Sequence, residues 1–212
     1  MSSHPTDPLP SSDDLTKAKS CTLVNAEGKE HAFGSLLSTS PDATDIILFV
    51  RHYHCGACLS FLQSFFSHPE AQSYNVVVIG HGDRTLIPAY VQKVQSGVKD
   101  GASPPSIRVY SDPTKSLYHS LGFTRRNLKL GEKTPEYYGE GKGHTGMVLG
   151  SIVDMVKSGP SAIWKSGDFA QLGGEVVIKG NEVVYAHYME TTTDHTEVAE
   201  LFRSAGESHG EK

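Results

Sequence analysis

Two short, continuous apolar runs on either side of a helical segment constrain the fold more than any other feature of this sequence. The runs are Asp45 to Val50 (DIILFV) and Asn75 to Gly80 (NVVVIG). Apolar runs of this length without polar alternation are typical of strands that are covered on both faces. The segment between them repeats apolar side chains at helical spacing, as at Cys58, Leu62 and Phe65. Strand, helix and strand in this order predict a βαβ unit with two parallel neighbouring strands.

The rest of the chain adds a third central strand and two hairpins. In chain order, the pattern predicts a hairpin over 21–33, a helix over 85–95, a strand over 106–112, a short helix over 113–121, a hairpin over 175–189 and a helix over 195–206. Asp194 precedes the last helix as its expected cap. An early parallel unit, a late antiparallel hairpin and a closing helix are the element order of an α/β, thioredoxin-like fold. We therefore expect a central mixed sheet with helices on both faces.

One domain, 19–206, accounts for most of the 212 residues. A chain of this size removes roughly 70% of its extended-chain surface from water on folding, so a core forms without disulfides. Residues 1–18 are rich in Ser, Pro, Asp and Thr and are expected to form a disordered leader, and residues 207–212 a flexible tail. The pattern weakens at about 124–172, which is interpreted as an insertion with one apolar segment, GMVLGSIVDMV.

Charge and hydropathy exclude several classes of protein. The 19 basic and 24 acidic side chains leave a net charge of -5 without a Lys/Arg cluster, which argues against a nucleic-acid surface. No apolar run approaches the roughly 18 residues that a membrane span needs. The first residues have neither a basic nor an apolar signal region, so we expect a cytoplasmic protein in a reducing environment.

Two of the three cysteines, Cys55 and Cys58, form a close pair. In a reducing environment such a pair is more often catalytic or metal-binding than structural. Cys55 stands where the predicted helix begins, and free backbone N–H groups and the helix dipole stabilise a thiolate there. Because the thiolate is the nucleophile, we expect Cys55 to attack, and Cys58, one turn later and more sheltered, to form a disulfide with it. Cys21 is interpreted as a small buried apolar residue.

Several other side chains are candidates for tuning the thiol or binding a substrate. His52 and His54 flank the pair, and a protonated imidazole there would lower the pKa of the thiol. Arg51 is adjacent to the same loop, and Arg125 lies in a later loop, where a guanidinium would polarise an oxyanion or peroxide. His81 follows a strand end and lies either at the same edge of the sheet or on the surface.

Two other interpretations of the cysteine pair stay open. The two neighbouring histidines and the two cysteines have the atom types that zinc prefers, although four ligands within seven residues at a helix start are difficult to arrange as a tetrahedron. The pair is otherwise two inert thiols of a core helix. Redox chemistry is favoured over both, and no metal is expected. His187 and His195 are interpreted as structural.

Four segments together carry a family resemblance. They are DIILFVRHYHCGACLSF, FTRRNLKLGEKTPEY, DFAQLGGEVVI and VYAHYMETTTDH. On these residues the chain resembles, from about Cys21 to Ala205, the peroxiredoxin-like 2 proteins of the alkyl hydroperoxide reductase and thiol-specific antioxidant group. The resemblance implies a thioredoxin-like fold and a thiol-dependent oxidoreductase that reduces a peroxide or an oxidised small molecule without a bound cofactor. The implied partner is a thiol reductant such as a thioredoxin or glutathione system, and a homodimer stays open.

The sequence departs from the pattern of that group at three places. The motif P-x-x-x-T/S-x-x-C is absent: with Cys58 at its end, Arg51 and Cys55 stand at the Pro and Thr positions, and with Cys55 at its end, Leu48 and His52 stand there. The arginine expected before the second hairpin falls near Leu172, and the proline that thioredoxins place there is replaced by Gly174. The alternative functions are therefore a specialised small-molecule enzyme of secondary metabolism or lipid peroxide conversion, with the insertion as a pocket wall, and a non-catalytic binding or zinc-binding module.

Overall fold

The computed structural model describes residues 8–99, 106–138 and 164–207, and seven strands and five α-helices have both ends within them. The strands are β1 (Thr22–Val24), β2 (Glu30–Ala32), β3 (Thr44–Phe49), β4 (Asn75–Gly80), β5 (Val109–Ser111), β6 (Gly174–Lys179) and β7 (Glu182–Tyr188). The helices are α1 (Ser12–Lys19), α2 (Gly56–Ser67), α3 (Ile87–Ser96), α4 (Ser116–Ser120) and α5 (Val198–Glu207). Each predicted strand and helix is present, with ends shifted by a few residues, and α1 is additional.

All seven strands belong to one mixed sheet in the order β2-β1-β5-β4-β3-β6-β7. β3 pairs in parallel with β4, and β4 with β5. On its other side β3 pairs antiparallel with β6, which forms an antiparallel hairpin with β7. The predicted mixed sheet, with its parallel βαβ unit and antiparallel C-terminal hairpin, is confirmed. β3 is an interior strand of this sheet, and each of its residues is buried, as its apolar run predicts.

The sheet separates two apolar cores, because alternate side chains of each strand point to opposite faces. On β3, Leu48 belongs to the first core and Phe49 to the second. Side chains of α2, α3 and α5 cover the first core, and those of α1 and α4 cover the second. Cys55 and Cys58 both lie in the first core. The cysteine pair is therefore on the α2 face of the sheet.

Helix α1 occupies part of the segment for which the sequence predicts a disordered leader, and for these residues the prediction is wrong. The hydroxyl of Ser11 accepts the backbone N–H of Asp14, and the carboxylate of Asp14 accepts the N–H of Ser11, which is a capping box. Leu15 and Ala18 are buried in the second core. These two apolar residues suffice to bury one side of α1. The cap fixes the start of the helix, and the helix then places Leu15 and Ala18 on one face. Residues 1–7 lie outside the described residues.

Two single residues also differ from their predictions. Cys21 is half-buried rather than buried, because it precedes β1 at the edge of the second core, where its sulfur lies 3.6 Å from the hydroxyl of Ser120. Asp194 is not the cap of α5, which begins at Val198. Its carboxylate instead accepts the N–H of Glu190, four residues earlier, and so closes the turn after β7.

Only the two ends of the predicted insertion, 124–138 and 164–172, lie in the described residues. They run side by side: the N–H of Asn127 donates to the carbonyl of Ala170, and Arg126 forms a β-bridge with Gln171. The apolar segment GMVLGSIVDMV lies outside the described residues. The predicted tail begins one residue too early, because Glu207 still belongs to α5, and its other residues are not described.

Two adjacent glycines allow the start of β6 to approach its neighbours closely. A Cβ atom on Gly173 would lie 1.9 Å from the carbonyl oxygen of Phe49, and one on Gly174 would lie 2.0 Å from that of His187. Gly174 also has a φ of +144°, which favours glycine. This contact holds the end of β3, from which the loop with the cysteine pair departs, against the C-terminal hairpin.

Candidate active site

The cysteine pair lies in the first turn of α2, just beyond the carboxyl end of β3. Cys55 is the N-cap residue of α2, with an extended backbone (φ -74°, ψ 110°). Its sulfur accepts the backbone N–H of Cys58 at 3.4 Å, which is one of the free donors of the helix N-terminus. The structure thus places Cys55 at the helix start, as the sequence predicts, and Cys58 one turn later.

Arg51 contacts both sulfur atoms. Its Nη1 lies 3.5 Å from Sγ of Cys55, and its backbone N–H donates to Sγ of Cys58 at 3.4 Å. Arg51 and Cys55 are only 6% and 4% exposed, and Cys58 is fully buried. A buried guanidinium therefore lies beside a buried sulfur, where low polarity strengthens the attraction between the positive charge and a thiolate.

These contacts make the two thiols unequal acids. The side chain of Cys58 donates a hydrogen bond to Cys55, and this bond, together with the charge of Arg51 and the N–H of Cys58, lowers the pKa of Cys55 from 9.0 to about 5 in spite of burial. Burial and the same hydrogen bond raise the pKa of Cys58 well above its ordinary value. At neutral pH the pair is a thiolate at Cys55 beside a thiol at Cys58.

Two of the predicted histidines do not supply the positive charge. Burial lowers the pKa of His52 well below its ordinary value, and the nearby charge of Arg51 lowers it further. Burial likewise lowers the pKa of His81 to about 4. The expectation of a protonated imidazole is therefore wrong for His52, because the guanidinium of Arg51 is the cation in contact with the sulfur. His54 is half-buried, and its N–H donates to Nδ1 of His52 at 3.3 Å.

The other two candidates lie in different places. His81 is buried beside the site rather than on the surface: its charge would influence His52, and its Nδ1 accepts the N–H of Asp168 at 3.4 Å. Arg125 donates to the carbonyl of Tyr188, and its guanidinium lies 6.0 Å from the centre of that ring, which belongs to the second core. Arg125 therefore faces away from the cysteine pair.

Comparison with known proteins decides the family. A model of the AhpC/TSA antioxidant enzyme family matches residues 61–191, which is more than half of the chain. The chain belongs to the AhpC/TSA antioxidant enzyme family. Peroxiredoxin-like 2C of Bos taurus is 24% identical over 193 residues, covering 88% of this chain and 77% of the relative. Peroxiredoxin-like 2C of Takifugu rubripes is 22% identical over 200 residues, covering 91% and 81%. The resemblance to the peroxiredoxin-like 2 proteins is confirmed.

A solved structure confirms the thioredoxin-like fold of this AhpC/TSA protein. The structure is that of a yeast mitochondrial 1-Cys peroxiredoxin, superposed with a TM-score of 0.50 at 12% identity, and it covers 93% of this chain and 74% of the yeast protein. Membership of the AhpC/TSA family supports a function of the thiol oxidoreductase type. The family match begins at Phe61, so the cysteine pair directly precedes the matched residues.

Sequence reasoning missed three aromatic residues beside the site of this AhpC/TSA protein. Tyr137 and Tyr138 lie in a 3-10 turn against α2, and the ring of Tyr137 meets that of Phe61 edge-on at 5.5 Å. Phe169 packs its ring against His52 at 4.5 Å and accepts Nη2 of Arg51 at its carbonyl oxygen, at 2.7 Å. Aromatic residues within the polar stretches at both ends of the insertion are the signal that would have found them.

A buried histidine–glutamate pair lies on the same face of the sheet. Nδ1 of His195 is 2.6 Å from Oε1 of Glu175, and the two side chains are 1% and 0% exposed. The other carboxylate oxygen accepts the N–H and the hydroxyl of Thr196, at 3.2 and 2.9 Å. The imidazole stacks on Phe61 with ring centres 4.4 Å apart. Glu175 stands at the start of an otherwise apolar strand, where a buried carboxylate needs a polar partner. This position is the signal in the sequence for the pair.

The described residues contain neither a cluster of metal-binding side chains nor a helix that could span a membrane. Within 8–99, 106–138 and 164–207, no group of three or more His, Cys, Asp and Glu side chains has the arrangement of a metal site. In the same residues no helix combines the length and the apolar character that crossing a membrane requires.

Proposed function

We propose that this AhpC/TSA protein is a thiol-dependent oxidoreductase of the peroxiredoxin-like type, which reduces a peroxide or an oxidised small molecule through Cys55 and Cys58. The observation that carries the proposal is the difference between the two thiols. The sulfur of Cys55 accepts hydrogen bonds from Arg51 and Cys58 and is a thiolate at neutral pH, whereas Cys58 keeps its proton. A nucleophile and a protonated resolving thiol are the two groups that dithiol chemistry requires.

In the first step, the thiolate of Cys55 attacks the terminal oxygen of a peroxide. An S–O bond forms, the O–O bond breaks, and the leaving alkoxide takes a proton from water to become an alcohol. Cys55 is oxidised to a sulfenic acid, and the peroxide is reduced by two electrons. Arg51 is placed to stabilise the negative charge as it moves from the sulfur to the leaving oxygen.

In the second step, Cys58 resolves the sulfenic acid. Its sulfur attacks that of Cys55, an S–S bond forms, and the S–O bond breaks. The departing hydroxide takes the proton of Cys58 and leaves as water. Two equivalents of an external thiol then return the disulfide to the dithiol and become a disulfide themselves, so no bound cofactor is needed.

The external reductant is a thioredoxin or glutathione system in this proposal. The thiol of the yeast mitochondrial 1-Cys peroxiredoxin is resolved via glutathione/thioredoxin systems. The same class of reductant fits a buried dithiol that has to be reduced by thiol exchange. A cytoplasmic location and a homodimer remain predictions from the sequence.

The test is peroxide treatment of wild type, Cys55→Ser, Cys58→Ser and the control Cys21→Ser, followed by intact-protein mass spectrometry with dimedone. We expect wild type and Cys21→Ser to lose two hydrogen atoms as the disulfide forms, and Cys58→Ser to be trapped as a dimedone adduct on Cys55. Cys55→Ser is expected to stay unmodified.

Either of two results contradicts the proposal. One is a wild-type Cys55 that reacts with peroxide and with iodoacetamide at pH 7 no faster than a free thiol does. The other is undiminished turnover of peroxide, with dithiothreitol as reductant, by Cys55→Ser.

A further inference from the structure

The guanidinium of Arg51 is held between two acceptors from distant parts of the chain. Nη1 lies 3.5 Å from the sulfur of Cys55, and Nη2 donates to the carbonyl of Phe169 at the shorter distance of 2.7 Å. The arginine stem has several rotatable bonds, so its planar head needs fixed acceptors to stay beside the sulfur. The Phe169 carbonyl supplies the shorter of the two hydrogen bonds. The ring of the same residue packs against His52, with ring centres 4.5 Å apart, and this contact also restrains Phe169.

The residue before this carbonyl is anchored by ion pairs. Oδ2 of Asp168 lies 2.9 Å from Nζ of Lys115 and 2.9 Å from Nη2 of Arg126. Its Oδ1 accepts the N–H of Ala170 at 3.1 Å, and its own N–H donates to Nδ1 of His81. Burial raises the pKa of this carboxyl group, but the contacts with Lys115, Ala170 and Arg126 outweigh it and keep the pKa below its ordinary value. The carboxylate is therefore ionised at neutral pH and joins three segments of the chain.

We propose that Asp168 is a positioning residue of the thiol site: its ion pairs fix the segment whose Phe169 carbonyl holds the guanidinium of Arg51 against the nucleophilic sulfur. Asp168 acts through the neighbouring carbonyl of Phe169. This inference rests on the proposed function, because it concerns the residue that keeps Cys55 reactive.

The sign of one measurement separates positioning from simple electrostatics. Asp168 carries a negative charge, and a negative charge disfavours a nearby thiolate. If Asp168 acted on Cys55 only through its charge, Asp168→Asn would lower the pKa of the thiol. If it acts by positioning Arg51, the same substitution frees the guanidinium and raises that pKa. A charge on His195 also reaches Cys55. The substitution Asp168→Asn does not replace His195, so this residue is present in both proteins that are compared.

The experiment measures the pH dependence of Cys55 alkylation by iodoacetamide, resolved by peptide mass spectrometry, in the full-length reduced protein. We expect Asp168→Asn to slow the reaction about five-fold at pH 5 and to leave the rate at pH 9 unchanged, because a displaced guanidinium changes the fraction of thiolate only. Asp168→Glu, which keeps the charge, is expected to restore much of the rate. Glu190→Gln, which removes an exposed carboxylate that pairs with Arg125, is the charge-matched control and should have no effect.

A double-variant cycle tests whether Asp168 acts on Cys55 through Arg51. In an Arg51→Met background, Asp168→Asn should no longer raise the pKa of Cys55, because there is no guanidinium to position. An unchanged or lowered pKa in Asp168→Asn overturns the inference, and so does a rise that persists without Arg51. If wild-type Cys55 itself has an ordinary pKa, the proposed function fails instead.

A second variant keeps the test valid if Asp168→Asn does not fold. Arg126 is half-exposed, with 58% of its side chain accessible, so Arg126→Gln weakens the anchor at little risk to the core. We expect it to slow alkylation at pH 5 by about two-fold, and Arg125→Gln, which removes an equal charge on the other face, to have no effect. Equal effects of the two variants would contradict the inference.

Discussion

Nη1 of Arg51 lies 3.5 Å from the sulfur of Cys55, and both groups are almost fully buried. The cation in contact with the sulfur is thus the side chain of the second residue after the end of β3, and burial holds the pKa of the neighbouring His52 well below its ordinary value. An arginine keeps its charge throughout the working pH range, so the acidity of Cys55 does not depend on the protonation of an imidazole in contact with it.

Arg51→Met is expected to raise the pKa of Cys55, because the thiolate loses its nearest positive charge. A shift of the size typical for a lost contact of this kind would make alkylation about ten-fold slower at pH 6 and leave it nearly unchanged at pH 9. The measurement is the iodoacetamide rate of Cys55 against pH. Arg125→Met is the matched control, and a similar loss in both variants would show that the contact with Arg51 is not what matters.

The reduced protein is expected to become more stable as the pH rises from about 5 to about 8. The pKa of Cys55 is 9.0 in its ordinary state and about 5 in the fold. A lowered pKa contributes stability that is complete above the unfolded pKa and is lost as the pH falls through the folded pKa. The free energies of unfolding of wild type and Cys55→Ser, measured in urea, should therefore differ more as the pH increases, by at most about 1.4 kcal/mol per pH unit.

The comparison of wild type with Cys55→Ser is made below pH 9, because Cys58 has the opposite effect on stability at higher pH. The pKa of Cys58 is raised in the fold, and this opposes stability once an unfolded cysteine ionises. Parallel stability curves for wild type and Cys55→Ser between pH 5 and 8 would show that Cys55 is not a thiolate in the folded protein.

Glu175→Leu is expected to destabilise the protein by about 3–5 kcal/mol, because it leaves the buried imidazole of His195 and the N–H of Thr196 without their acceptor. The measurement is the free energy of unfolding in urea under reducing conditions. Glu190→Gln removes one member of a largely exposed pair and should cost less than about 1 kcal/mol. Equal losses would mean that the buried pair contributes no more than a surface pair.

Leu15→Ala is expected to cost about 2–5 kcal/mol, because Leu15 is only 2% exposed and packs in the second core. Leu9→Ala is the control, since half of the Leu9 side chain is exposed. Ser11→Ala, which removes the N-cap of α1, should cost about 0.5–2 kcal/mol. Equal free energies of unfolding for Leu15→Ala and Leu9→Ala would mean that Leu15 does not pack in the second core, as the predicted disordered leader over 1–18 implies.

The sequence predicted best those elements whose own residues are enough to indicate whether the element is buried. The apolar runs Ile46 to Phe49 in β3 and Val76 to Ile79 in β4 predict buried neighbouring strands, because neither run contains a polar side chain for a solvent face. The position of Cys55 at the start of α2 follows from the same pattern, since the helix begins where the apolar spacing changes period.

The features that the sequence left open concern residues whose role is set by partners far along the chain. Arg51 was one candidate among several because nothing near it in sequence shows that the carbonyl of Phe169, 118 residues later, holds its guanidinium. His195 and Glu175 were not connected for the same reason. The α1 segment has too few apolar residues to predict burial, and only its contact with the second core decides the outcome.

By itself, the sequence determined the order of the strands and helices along the chain, the position of Cys55 at a helix start and the family likeness, because these depend on local periodicity and on motifs. The tertiary structure decided which cation meets the sulfur of Cys55 and which contacts lower the pKa of Cys55 and raise that of Cys58. Both depend on burial and on distances of a few ångströms between segments far apart in the chain, and electrostatic interactions in a low-polarity interior change steeply over such distances.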